Sequence, residues 1–232
     1  MENAIIMASG LGTRMRPLTE TVPKPLIEVH GKPMIETIID GLLKRKSICE
    51  IVVVTGYLGE QFDYLPKKYS CLRIIKNPYY ETVNNISSVY AAREILKKGS
   101  CFICEADLYI SEPDIFKAEL ECSCYFGKKI CGTSDDWVLE QDEKGYIKRI
   151  GMAGSDCFNM AGISYFTKEN ALVLAEAIEA AYGREGYEKL FWDEIVNSNL
   201  DRLRLKIHSV SENQIVEIDT VEELDAVNGK SV

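Results

Sequence analysis

Apolar residues follow two rhythms along this chain, short unbroken runs and stretches spaced three or four apart. Residues 3–8 form a run closed by glycine, and residues 33–45 then carry Ile35, Ile38, Ile39 and Leu42 at helical spacing behind Pro33. A β-branched run over 51–55 stops at Gly56, a second lies at 72–76, a helix is expected over 86–97, and a strand over 101–106. This βαβ repetition predicts an α/β fold with a mostly parallel central sheet flanked by helices. Past about residue 120 the runs shorten to strands over 124–126, 138–141, 146–150 and 161–166, followed by helices over 168–182 and 187–197. Strands over 205–209 and 215–218 and a helix over 221–227 close the pattern. No internal repeat or low-complexity linker divides the chain. The reading is therefore one domain over 1–232, with a change of character between the halves 1–120 and 121–232.

Composition narrows the classes. With 46% hydrophobic and 27% charged residues, disordered and fibrous classes are excluded. No apolar stretch reaches the roughly 20 residues that span a bilayer, and Met1 runs straight into the first strand, which predicts a soluble, cytoplasmic protein without membrane insertion. A net charge of −9 argues against nucleic acid as a partner, because such binding needs Lys and Arg to neutralise phosphates. Residues 1–33 differ, with Arg14, Arg16, Lys24 and Lys32 against Glu2, Glu20 and Glu28, so this one segment is able to receive an anion. The eight cysteines read as reduced, and Cys101 and Cys104, although spaced like a redox pair, fall inside an apolar run. Zinc is not expected, since Cys122 and Cys124 lack a second ligand pair and His30 and His208 are isolated.

The loop after the first strand carries the main chemical signal. Gly10-Leu11-Gly12-Thr13-Arg14-Met15-Arg16-Pro17 leads to Leu18-Thr19 and then Pro23-Lys24-Pro25-Leu26. Glycines here let backbone N–H groups approach a phosphate, and Arg and Lys add charge-assisted hydrogen bonds. The dinucleotide fingerprint fails, because its third glycine is absent and Pro17 stands where the helix would run; the P-loop fails for want of Gly-Lys-Ser/Thr. What remains is an extended loop with two arginines and a lysine stiffened between two prolines.

These segments, with Gly56-Tyr57, Glu105-Ala106-Asp107 and Glu217-Ile218-Asp219 in order behind them, resemble the nucleotidyltransferase superfamily of the nucleoside diphosphate sugar pyrophosphorylase type. The resemblance implies a Rossmann-like sheet with a small substrate-binding cap in the second half. It also implies transfer of a nucleoside monophosphate to a phosphorylated acceptor with release of pyrophosphate. Residues 1–120 then become the nucleotide-binding half, and 121–232 the acceptor-binding half with the last metal-ligand strand. Lys24 and Arg14 are the catalytic residues so implied, and Ala8, Gly10, Gly12, Thr13 and Gly56 fall in the nucleotide site. Asp107 and Asp219 end strands where open α/β sheets bind ligands; each alone could be a turn or cap residue, and the resemblance favours Mg²⁺ ligation. The role of Glu105 stays open. A phosphate monoester has a second pKa of about 6, so its dianion needs no general base, and the scarcity of histidine fits.

The base-recognition segment departs from the sugar enzymes. It reads Asn84-Asn85-Ile86-Ser87-Ser88, which resembles the bacterial CTP:phosphocholine cytidylyltransferases and places Asn85 and Ser88 near the cytosine or ribose. Asn85 could equally cap the helix from Ile86. Asp135-Asp136-Trp137 and Phe191-Trp192-Asp193 match the same enzymes, and a quaternary ammonium is held against aromatic faces with acids nearby. The resemblance therefore implies a cation box of Trp137, Trp192 and Asp193, with Asp136 and Phe191 beside it. The favoured activity is CMP transfer from CTP to phosphocholine, giving CDP-choline. The alternatives are the same chemistry on 2-aminoethylphosphonate or phosphoethanolamine, a sugar-1-phosphate nucleotidyltransferase, a metal-dependent glycosyltransferase, and a non-catalytic nucleotide-binding protein.

Overall fold

The computed structural model describes residues 1–229. In chain order it runs β1 (Glu2–Ala8), β2 (Glu28–Val29), β3 (Lys32–Pro33), α1 (Met34–Leu43), β4 (Ile48–Thr55), α2 (Leu65–Lys68), β5 (Leu72–Lys76), α3 (Ile86–Ala91), α4 (Arg93–Leu96) and β6 (Ser100–Glu105). The second half adds β7 (Leu108–Ile110), β8 (Cys124–Lys129), β9 (Thr133–Gln141), β10 (Ile147–Ser155), β11 (Phe158–Phe166), α5 (Lys168–Ala181), α6 (Trp192–Asn197), β12 (Lys206–Val210), β13 (Ile215–Glu217) and α7 (Val221–Val227).

The expected parallel centre is β6-β1-β4-β5, whose strands are apolar on both faces because helices cover both. Alternation divides their side chains between two layers. Ala4, Ile6, Ile51 and Val53 meet α1 on one face, while Ile5, Val52 and Val54 meet α3, α4 and α5 on the other. The second half joins the same sheet through β11, which runs antiparallel to β6 and carries β8 and β9, with β10 and β12 outside them. Since the chain leaves β1 toward β4 and later returns to β6 on β1's other side, the gap between β1 and β6 is the switch point of the sheet. Ligands bind open α/β sheets at that gap.

Local elements differ from the sequence pattern in two places that matter. The helix expected over 86–97 breaks at Ala92, whose φ of −96° and ψ of 5° leave the helical well. The helix expected over 187–197 starts only at Trp192, because Leu190 and Phe191 are extended. The reason lies outside the segment: Asn85 Oδ1 accepts the Trp192 N–H at 3.0 Å, and Glu194 accepts the Phe191 N–H at 2.8 Å, so the start of α6 is set by a cap from another helix. A short strand absent from the sequence reading, β7, pairs antiparallel with β13 and draws residue 107 beside residue 218. Among the described residues no helix is long and apolar enough to cross a membrane, and all eight cysteines are free, with Cys101 and Cys104 buried.

Candidate active site

A cleft of about 940 Å³ opens over the switch point. Its near wall is the loop after β1, folded back on itself so that Lys24 lies under Gly12. Gly12 has φ of +61°, and a Cβ there would stand 3.0 Å from both Lys24 Cβ and Thr19 Cγ2. Thr19 Oγ1 donates to the Gly12 carbonyl at 2.8 Å, and the Tyr57 hydroxyl donates to the Thr19 carbonyl at 2.9 Å. The left-handed backbone and the close approach both demand glycine. Gly12→Ala is expected to cost about 1–2 kcal/mol in stability from backbone strain alone. It should also lower turnover more than that loss explains, because Lys24 must shift; comparing melting temperature with kcat checks this.

Lys24 is 7% exposed and its Nζ lies 2.7 Å from Asp107 Oδ2 and 2.6 Å from Asp219 Oδ1. Burial alone would lower its pKa, but the two carboxylates outweigh that and raise it, so the ammonium stays charged. Arg14, two-thirds exposed, pairs its Nη2 with the same Asp219 oxygen at 2.6 Å. Asp219 is free to do this because Thr220 is the cap of α7: its side chain accepts the Glu223 N–H, while Glu223 reaches back to the N–H groups of 219 and 220. Behind Lys24, carboxylate oxygens of Glu105, Asp107 and Glu217 all lie within 4.8 Å of one another. Burial first, then repulsion from Asp107 and Glu217, holds Glu105 well above the ordinary carboxylate range. Loss of water around its carboxyl and repulsion from Asp107 and Asp219 push Glu217 up to about 8.

The far wall comes from the second half. Trp137 on β9 and Phe191 before α6 face each other at 5.3 Å between ring centroids, tilted by 58°, and Asp136 lines the cleft beside them. Asp193 is 3% exposed, accepts the Tyr125 hydroxyl hydrogen bond at 2.9 Å and reaches the cleft. Burial pushes its pKa up to about 7, the Tyr125 bond opposing part of the rise. Trp192, expected in the same box, is instead core: its ring is buried in stacked contact with Tyr125, at 5.9 Å, and edge-on to Phe166, so it offers no face to a ligand. Adjacent residues of a helix point about 100° apart: Asp193 and the extended Phe191 before α6 line the cleft, while Trp192 packs into the core.

A family model described as nucleotidyl transferase matches residues 3–121. The chain belongs to the nucleotidyl transferase family. It is 51% identical to the 2-aminoethylphosphonate cytidylyltransferase of Lancefieldella rimae, over 97% of this chain and 91% of that one. It is 34% identical to the choline-phosphate cytidylyltransferase of Streptococcus pneumoniae, over 95% and 94%. The solved structure of the CTP:phosphocholine cytidylyltransferase from Streptococcus pneumoniae superimposes with a TM-score of 0.87 at 33% identity, covering 98% of both chains.

In this nucleotidyl transferase, Ala8, Gly10, Gly12, Thr13, Asn85 and Ser88 all line the cleft on the side of the first loop. Ser88 is tied to Ser9 and Asn77 by hydrogen bonds of 3.2 and 3.3 Å, which hold α3 against the loop. Asn85 caps α6 rather than its own helix. Gly56 stands back from the cleft: a Cβ on it would come within 2.6 Å of the Tyr80 ring, so it makes room for Tyr80, which does line the cleft. Sequence reasoning missed Glu217, Lys128 and Asn159 as cleft residues. For Glu217 a signal existed, since Glu105-Ala106-Asp107 and Glu217-Ile218-Asp219 repeat one Glu-x-Asp pattern at two strand ends.

The acidic group fits a hard divalent cation. All its donors are carboxylate oxygens, and Asp107 Oδ1 is buried without a hydrogen-bond partner among the described residues. An orphaned anionic oxygen is costly unless a cation or donor completes it. Asp219, expected as a ligand with Asp107, is held by Lys24 and Arg14.

Proposed function

We propose that this nucleotidyl transferase is a cytidylyltransferase that moves CMP from CTP to 2-aminoethylphosphonate and releases pyrophosphate. The observation that carries the acceptor is the 51% identity to the 2-aminoethylphosphonate enzyme along nearly the whole chain. The chemistry of the far wall supports it. A quaternary ammonium has no N–H to donate and is held by aromatic faces, whereas a primary ammonium donates hydrogen bonds to carboxylates. With Trp192 withdrawn into the core, the wall keeps one ring pair and a buried carboxylate. Phosphocholine, which the sequence alone favours, becomes the second reading; the 34% identical relative and the Trp137–Phe191 pair speak for it.

The steps follow from the side chains. Backbone N–H groups of the Gly10–Thr13 loop cradle the triphosphate, and Arg14 holds the leaving pyrophosphate. Lys24, fixed between Asp107 and Asp219, presents its ammonium to the α-phosphate and the acceptor dianion together. An acceptor oxygen forms a bond to the α-phosphorus while the α–β bridging bond breaks, and the electron pair leaves with pyrophosphate. No proton moves, so no general base is required. Glu105, Asp107 and Glu217 would hold Mg²⁺, which when bound supplies neutralisation of triphosphate charge.

Incubation with each nucleoside triphosphate and each acceptor, followed by pyrophosphate release, tests the assignment. The expected kcat/KM with CTP is at least tenfold higher for 2-aminoethylphosphonate than for phosphocholine. The opposite order overturns the acceptor, and equal rates with ATP or UTP overturn the nucleotide.

Asp193 adds a pH signature. Its folded pKa of about 7 lies above the ordinary 3.8, so the native state holds the extra proton between these values, and this group's contribution to stability declines as pH rises through that window. Ionisation above pH 7 creates the partner for an ammonium. The acceptor KM should therefore fall severalfold between pH 6 and 8, and Asp193→Asn should flatten the part that exceeds the acceptor's own ionisation.

A further inference from the structure

Three cationic side chains line the cleft among the described residues, and two are already committed. Arg14 pairs with Asp219, and Lys24 with Asp107 and Asp219. The third, Lys128 near the end of β8, makes no hydrogen bond or ion pair through its ammonium with any described residue; the carboxylates whose charge acts on it are Glu217 and Glu212. Directly across the ladder from Lys128 is Asn159 on β11. Directly opposed residues of an antiparallel pair send their side chains to the same face, with Cβ atoms about 5 Å apart. Asn159 also lines the cleft, and its Oδ1 is buried without a hydrogen-bond partner among the described residues. An uncommitted donor with three N–H groups and an orphaned acceptor thus stand side by side in the cleft.

We propose that Lys128 binds the phosphonate dianion of the acceptor and that Asn159 is a positioning residue, its Oδ1 accepting one Lys128 N–H so that the other two point at the acceptor's oxygens. This rests on the reading of the cleft as a cytidylyltransferase site with an acceptor bearing a phosphonate or phosphate. It deepens that reading by separating two jobs: Lys24 serves the phosphorus under attack and Lys128 orients the attacking group. An acceptor dianion brought up to Glu105, Asp107 and Glu217 meets repulsion, and a cation on β8 that lines the same cleft offsets it. The pairing also accounts for the missing partner of Asn159, because a soft terminal torsion lets its amide meet Lys128 once the ammonium is drawn in by the acceptor.

Lys128→Met and Asn159→Leu, alone and combined, test this in steady-state kinetics with CTP and acceptor varied separately. Lys128→Met should raise the acceptor KM at least twentyfold while the CTP KM stays within twofold and the melting curve is unchanged. Asn159→Leu should raise the acceptor KM three- to tenfold, and should add nothing further in the Lys128→Met background. Lys128→Arg should recover part of the loss. An unchanged acceptor KM, an equal rise in the CTP KM, or additive effects of the two substitutions would overturn the proposal. If wild-type enzyme turns over phosphocholine and not 2-aminoethylphosphonate, the acceptor assignment fails on its own. The Lys128 effect is then read with phosphocholine, which presents the same kind of dianion.

Discussion

Lys24→Met is expected to lower kcat by about a thousandfold or more, equivalent to roughly 4 kcal/mol of transition-state stabilisation. The size follows from position. The ammonium is buried, stiffened between Pro23 and Pro25, and held by two carboxylates far from it and from each other in the chain, so it needs no reorganisation as charge develops. Removing it also leaves Asp107 and Asp219 facing each other without their shared cation. Lys24→Arg should not restore turnover, because a planar fork cannot replace a point charge in a space that leaves the residue 7% exposed. Single-turnover CMP transfer with the melting temperature measured alongside decides the matter. A rate near wild type, in a folded variant, would remove Lys24 from the chemistry.

Asp107→Asn should give the second-largest effect, a loss of about a hundredfold or more in kcat/KM, together with a changed response to metal. Asp107 belongs both to the pair that fixes Lys24 and to the carboxylate group with Glu105 and Glu217, and its Oδ1 has no hydrogen-bond partner among the described residues. Lys24 keeps Asp219 in the variant, so the fold should persist. Wild-type protein should melt at a higher temperature as Mg²⁺ is added, since a ligand that binds only the native state stabilises it by mass action. The variant should show that rise only at much higher Mg²⁺. An identical Mg²⁺ response in both proteins would place the ion elsewhere.

Much of this site is legible in one dimension because its parts are local. The Gly12 turn, the prolines around Lys24 and the apolar strands ending at residues 8 and 105 are each dictated by short-range sterics and patterning. The acidic partners were legible as types but not as an arrangement. Whether Asp219 caps a helix or meets Lys24 depends on Thr220 taking the cap, a choice between neighbours that composition does not rank. Trp192 shows the opposite failure. Its neighbourhood has the right residues for a cation box, yet the start of α6 is set by Asn85, 107 positions away, and that cap turns the indole into the core.

By itself the sequence determined the parallel α/β centre and the glycine- and proline-bearing loop after β1, and it put Lys24, Arg14, Asp107 and Asp193 forward as candidates, all of which line one cleft. Only the tertiary structure decided which of them meet. The β7–β13 pairing brings residues 107 and 219 to one lysine, the β8–β11 register sets Lys128 against Asn159, and α6 presents Phe191 and Asp193 while hiding Trp192. These contacts join residues far apart in the chain, and their geometry follows from strand pairing and helix rotation, which local pattern leaves open.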